Sequence, residues 1–372
     1  MKKAMVFLLA AAMVIALSVP AFAAPTVKIS ARVNQEIGWT FTSKEQTTNG
    51  KDDVVDSFVS LVGNSYLRVK FMSEDKKVGA HMEIGLKNGS SIGTRHAYAW
   101  YKVGNCTFLA GQTDNLQGAY GPSWTSQKLA AGPSGGDVLG WGKAWVPRQS
   151  KVQLTWAKGA MSFQFALERP RSTPGSFQGT VDVVNKFPTV SGAFVYSGKS
   201  FAVAPALMWT QWQAEGDAIG DDSIDAFGFI LPVIIKVQAF KLILSGHWAK
   251  NPAGLYAGYG TYGGAVRKGN SFEDTTLLGG YLEGSYVVGA LRIAAGFGVE
   301  NFQNDGWKDA AGNGWKNDDL TRWMAWLALP YKAHKYMTIR PEVDYYNFGD
   351  TPSDGKDAGN EWVFGVLFRF II

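Results

Sequence analysis

Arg68 and Lys70 alternate with Leu67, Val69 and Phe71. In an extended chain that spacing sends both cations to one face and the apolar groups to the other. The chemistry on offer is charge beside water, either a solvated wall or a surface that sorts ions by sign. Catalytic constellations are thin by comparison. His81, His96, His247 and His334 fall in separate segments without metal-ligand spacing. Gly258-Tyr259-Gly260-Thr261-Tyr262-Gly263 matches a dinucleotide fingerprint letter for letter, yet no strand-then-helix context flanks it, so it reads as coincidence in a chain with 44 glycines. Asp305, Asp309, Asp318 and Asp319, with Asp350, Asp354 and Asp357, could gather calcium in loops, but none matches the calcium-hand spacing. No serine or aspartate nucleophile is paired with a histidine motif. An enzyme is not expected, and no catalytic residue, cofactor or metal ligand is assigned.

The segments that carry these charges show one period. Val27, Ile29, Ala31, Val33, Ile37, Trp39 and Phe41 take one parity, and Lys28, Ser30, Arg32, Asn34, Glu36 and Thr40 take the other, with Gln35 the one break in the apolar face. At the far end Trp362, Phe364, Val366, Phe368, Phe370 and Ile372 alternate with Arg369. The same pattern runs through Ala80–Lys87 and Met161–Glu168. This is strand periodicity.

Sixteen such segments are predicted, near residues 26–42, 57–73, 78–87, 94–102, 105–112, 149–157, 160–168, 189–197, 200–210, 224–234, 238–249, 275–286, 290–302, 319–330, 333–346 and 360–372. The link around Lys236 has little turn chemistry, which leaves fourteen or eighteen open. Longer polar insertions follow the odd strands and tight links follow the even ones, as in a barrel threaded through a membrane. No apolar stretch beyond the leader approaches the ~20 residues of a spanning helix. The abundant aromatics (14 Trp, 14 Tyr, 22 Phe) favour strand ends, where interfacial girdles sit. The expectation is an all-β, transmembrane antiparallel barrel.

Met1-Lys2-Lys3, the apolar run Met5–Leu17 and Ala21-Phe22-Ala23 read as a cleaved secretory signal over 1–23, leaving 24–372 as a single outer-membrane barrel domain. Loss of Lys2 and Lys3 takes the basic residues from 36 to 34 against 31 acids, so the net charge falls from +5 to +3. The charges are dispersed, which argues against nucleic acid as a partner. Cys106 is the only cysteine, so no internal disulfide can form.

Asn64-Ser65-Tyr66-Leu67-Arg68-Val69-Lys70-Phe71 resembles the second-strand signature of the general bacterial porins, in which a tyrosine precedes an inward arginine. Thr94-Arg95-His96-Ala97-Tyr98-Ala99-Trp100 is similar to their fourth strand, and Ala110-Gly111-Gln112 to the end of its hairpin partner. Pro133-Ser134-Gly135-Gly136-Asp137, then Arg148 and Val152, resembles their third loop and its return.

The resemblance implies a homotrimer of sixteen-stranded barrels in the Gram-negative outer membrane, in contact with its lipid and lipopolysaccharide. Small hydrophilic solutes and ions would diffuse passively through each barrel. A substrate-selective channel, or a non-conducting adhesin or hydrolase barrel, is the alternative. It also implies an inward-folded third loop, here 113–147, as the constriction. Arg68, Arg95 and Arg148 would form the wall ladder, with Lys70 beside it, facing the loop acids Asp114 and Asp137. Ser134 replaces the glutamate that often follows the loop proline, and Lys128 and Lys143 make the loop more basic, which tilts the pore toward anions or neutral solutes. Arg148 shares parity with outward Val152, so it can point inward only if its strand starts later or carries a bulge.

Overall fold

The computed structural model describes residues 25–46, 53–61, 65–86, 92–117, 142, 144, 146, 148–170, 182–185, 187–215, 222–256, 262–268, 271–306 and 317–372. The expected signal sequence lies outside them. The alternating segments form one closed, antiparallel, sixteen-stranded barrel. Its strands are β1 (Thr26–Thr42), β2 (Val54–Leu61 and Ser65–Met72), β3 (Val78–Leu86), β4 (Ile92–Val103), β5 (Cys106–Thr113), β6 (Gln149–Lys158), β7 (Met161–Glu168) and β8 (Asp182–Asn185 and Thr189–Ser197). There follow β9 (Phe201–Val203 and Ala206–Glu215), β10 (Asp222–Val237), β11 (Phe240–Lys250), β12 (Thr276–Val288), β13 (Leu291–Gln303), β14 (Asp319–Ala328 and Tyr331–His334), β15 (Met337–Asn347) and β16 (Asn360–Ile371). Each strand pairs with the next, and β1 closes the ring: Ile37 lies opposite Val59 of β2 on one side and Val366 of β16 on the other. Closure leaves no sheet edge, which satisfies the backbone groups that an open sheet would expose.

Tight hairpins gather at one end of the barrel, hereafter the short-turn end. Gly104, Gly159 and Gly289 adopt positive φ there (55°, 62° and 57°), the backbone that two-residue hairpins require. At the link near Lys236 the same conformation falls on Gln238 (φ 51°), between Val237 and Phe240, which pair. The apolar run from Ile224 to Leu244 is therefore two strands, and the count is sixteen.

One junction differs from expectation. The strands expected at 319–330 and 333–346 are both present, but their expected boundaries place the turn at 331–332. Instead β14 continues past Pro330 to His334, and its hairpin closes where His334 meets Met337. The ladder survives because the Pro330 carbonyl accepts from Arg292 N–H (2.8 Å) and the next bond runs from Lys332 N–H to the Ala290 carbonyl (2.9 Å).

The outward parity is apolar all round the barrel. Trp39 is 49% exposed and Phe364 42%, and cross-strand rows such as Leu244, Leu282 and Phe297 face away from the lumen together. The inward parity is mixed. Glu36, Glu83, Glu168, Glu283 and Glu300 point in and are nearly fully buried. However, β9 to β13 also turn the large apolar side chains of Met208, Trp212, Ile224, Ile230, Leu277 and Phe302 inward. The reason is packing. Leu116, Ala144 and Val146 from the 113–147 insertion, with Leu255 and Tyr256 from the segment after β11, cover that wall and share one apolar cluster with it. Burying a side chain of that size inside the lumen contributes roughly 1.5–3 kcal/mol.

Candidate functional site

Opposite the apolar wall, β2, β3 and β4 bring charged groups together around Glu83. Met72 pairs with Gly79 across the short hairpin, and the register then sets Arg68 directly opposite Glu83. Arg68 Nη2 lies 2.6 Å from Glu83 Oε2, and Arg95 Nε donates to Oε1 at 2.6 Å. Arg95 reaches the lumen because β4 bulges: Glu83 faces His96 while Ile84 faces Thr94, leaving Arg95 as the extra residue. Two consecutive side chains, Arg95 and His96, thus both point inward. Gly85 makes the room, since a Cβ there would lie 2.6 Å from Arg95 Cδ.

Tyr66 is sandwiched by cations, with the Arg68 guanidinium 4.3 Å and that of Arg32 4.8 Å from its ring centroid. This fixes two flexible arginines against one rigid plane. Arg148 precedes the first residue of β6, so strand parity does not bind it. Its Nε donates to His96 Nε2 at 3.1 Å and lies 3.0 Å from Asp114 Oδ1. His96 Nδ1 is 3.0 Å from Thr113 Oγ1, and its ring stacks on His81 at 5.0 Å between centroids.

The residues expected on the wall are thus brought together: Arg68, Arg95 and Arg148 form one cluster with Asp114. Asp114, at the start of the 113–147 insertion, meets the ladder directly through Arg148. Lys70 sits one inward position nearer the short-turn end, opposite His81, is exposed, and makes no ion pair among the described residues. Asp137 lies outside the described residues, as do Lys128, Ser134 and Lys143. Among the described residues Arg68 and Arg95 pair with Glu83 and Arg148 with Asp114, while a fourth guanidinium, Arg32, stacks on Tyr66, so the arginines outnumber the carboxylates paired with them.

The described ends of the 113–147 insertion meet inward faces elsewhere. Lys151 Nζ donates to the Asp114 carbonyl at 2.5 Å, Asn115 donates to Glu168, and Gln117 donates to the Gly228 carbonyl at 2.8 Å. On the return, Gly142 N–H donates to Glu300 Oε1 at 2.8 Å, while Arg322 holds Oε2 at 2.9 Å.

Neither a protein-family model nor a curated protein sequence matches the chain. Solved structures do. The outer-membrane channel DcaP of Acinetobacter baumannii superposes with a TM-score of 0.71 at 18% identity, over 95% of this chain and 99% of that one. The fold is that of the outer-membrane porins. A loop-deletion form of OmpT from Vibrio cholerae (TM-score 0.62, 14% identity, 94% and 100% coverage) and the anion-selective porin from Comamonas acidovorans (0.62, 13%, 94% and 100%) share it.

Within the porin fold, Gly142 brings the return of the 113–147 insertion against the wall backbone with no room for a side chain. Its φ is +80°, and a Cβ would lie 2.0 Å from the Gly280 carbonyl oxygen and 2.7 Å from Val299 N. Both facts exclude a side chain. Gly142→Ala should displace this point at a cost of about 1–3 kcal/mol. The expected result in single-channel recordings is larger open-state noise and higher conductance from a barrel that still migrates as folded on unheated gels. Recordings identical to wild type would mean that this contact does not hold the insertion.

Proposed function

We propose that the chain is an outer-membrane diffusion channel for small hydrophilic solutes and ions, with a preference for anions. One observation carries the reading: a closed sixteen-stranded barrel with an apolar exterior turns a cluster of four arginines and two carboxylates into its lumen. The continuous outward apolar parity suits lipid, where backbone groups must be satisfied by closure. Sixteen strands enclose an aqueous lumen wide enough for ions once inward chains are accommodated. In this reading the 113–147 insertion forms the constriction, Arg68, Arg95 and Arg148 with Lys70 set its charge, and Asp114 and Asp137 moderate it. Residues 1–23 direct export, three copies assemble, and the rim meets lipopolysaccharide. The apolar packing of Leu116, Ala144 and Val146 against the inward wall supports the constriction.

Planar-bilayer recording of the mature protein under a salt gradient tests this. Large steps in threes with an anion-sided reversal potential are expected, and silence from folded protein would overturn the channel. Deleting Lys128–Asp137 should raise conductance, and an unchanged value would sink the constriction assignment.

A further inference from the structure

At the short-turn end, a cavity of about 300 Å³ opens on the inward side between the ends of β12 to β16. Its lining includes Arg292, Lys332, Arg340, Arg369 and Thr338. The backbone bonds that carry β14 past Pro330 set Leu291 opposite Tyr331, which makes Arg292 and Lys332 diagonal neighbours across the β13–β14 ladder. Arg340 Nε lies 2.8 Å from Glu342 Oε2, and Arg369 Nε donates to a neutral acceptor, Asn34 Oδ1, at 3.0 Å. Among the described residues no carboxylate pairs with Arg292, Lys332 or Arg369. Among the described residues, three of the four cations lining this recess, Arg292, Lys332 and Arg369, are thus without a paired carboxylate. A folded protein does not gather uncompensated cations without electrostatic cost, and an anion entering the recess removes that cost.

We propose that this recess is an anion-binding station at the short-turn mouth, lined by other residues than the Arg68–Arg95–Arg148 cluster. Its ligand is a compact oxyanion, a carboxylate or phosphate group, because guanidinium forks match two oxygens of such a group while Thr338 and Lys332 supply single donors. A solute leaving the lumen would meet a second site of the same charge preference, so passage would saturate with concentration. The station rests on the reading of the lumen as solute-accessible.

Calorimetric titration of the detergent-solubilised mature barrel with inorganic phosphate, and in parallel with acetate, tests it. Saturable binding is expected. Arg292→Gln with Lys332→Gln, two exposed positions whose change should leave folding intact, is expected to weaken it at least tenfold. Tighter phosphate than acetate binding would assign a phosphoryl group, and the reverse a carboxylate. No saturable heat from folded wild type, or equal affinity in the double variant, would overturn the station. Bilayer recording separates the two readings. Chloride current without phosphate binding removes the station alone, whereas phosphate binding by a barrel that passes no current removes the channel and keeps the station.

Discussion

Arginine in place of Leu282 is expected to destabilise the folded barrel by about 2–4 kcal/mol, the cost of a cation on the lipid face near mid-membrane. Leu282 lies at the middle of β12, 43% exposed, with Leu244 and Phe297 as its cross-strand neighbours on the outward face. None of these can solvate a guanidinium, and hydrocarbon cannot either. Thr155→Arg, on the inward parity of β6, is the control. Water and Gln153 lie within its reach, so its cost should stay within about 0.5–1 kcal/mol. Urea unfolding of vesicle-reconstituted protein, followed by tryptophan emission, measures both. Equal costs would mean that the outward face does not meet lipid.

Glu83→Gln should move ion selectivity more than any other single change in the cluster. The carboxylate is 1% exposed and engages two guanidiniums, and glutamine keeps its shape while removing the charge. A unit charge about 6 Å from a passing ion is worth roughly 0.7 kcal/mol in water-like dielectric, about threefold for each ion sign. The anion-to-cation permeability ratio should therefore rise about tenfold, because anions gain what cations lose. High salt should shrink the change, since the Debye length falls to about 3 Å at 1 M. The reversal potential under a salt gradient reads the ratio directly. A ratio within twofold of wild type would remove Glu83 and its arginines from the selectivity site.

The barrel was legible because alternation survives wherever one face meets lipid and the other meets water or polar groups. β1 and β16 read correctly residue by residue for that reason. β10 did not, because Ile224 and Ile230 point inward while Phe227 and Phe229 flank them at other positions, so both parities are apolar. Leu116, Ala144 and Val146, with Leu255 and Tyr256, make that inward face a packed core, and sequence periodicity carries no trace of what covers a strand. The Arg68–Glu83 pair could have been found by counting back from the short β2–β3 hairpin, since one register fixes every pair along it. Arg95 was reached only through the family resemblance, because a bulge is an insertion into the ladder that alternation treats as noise. Arg148 escaped strand parity by lying one residue before β6. Arg292, Lys332 and Arg369 come together through the pairing of the neighbouring strands β13 to β16, whose mutual register alternation does not show.

Closure through β1 and β16 has a consequence for how the molecule is made. Arg369 bonds Asn34 across 335 positions of sequence, and Asn360 N–H bonds Ser43 Oγ across 317. Contacts that remote dominate the contact order and form late, after the entropy of a very large loop has been overcome. Until β16 arrives, β1 and the last completed strand each present a row of unpaired donors and acceptors flanked by apolar side chains. The nascent sheet is therefore adhesive on both margins for nearly the whole of its synthesis and transit, and its seam must be the final event of folding.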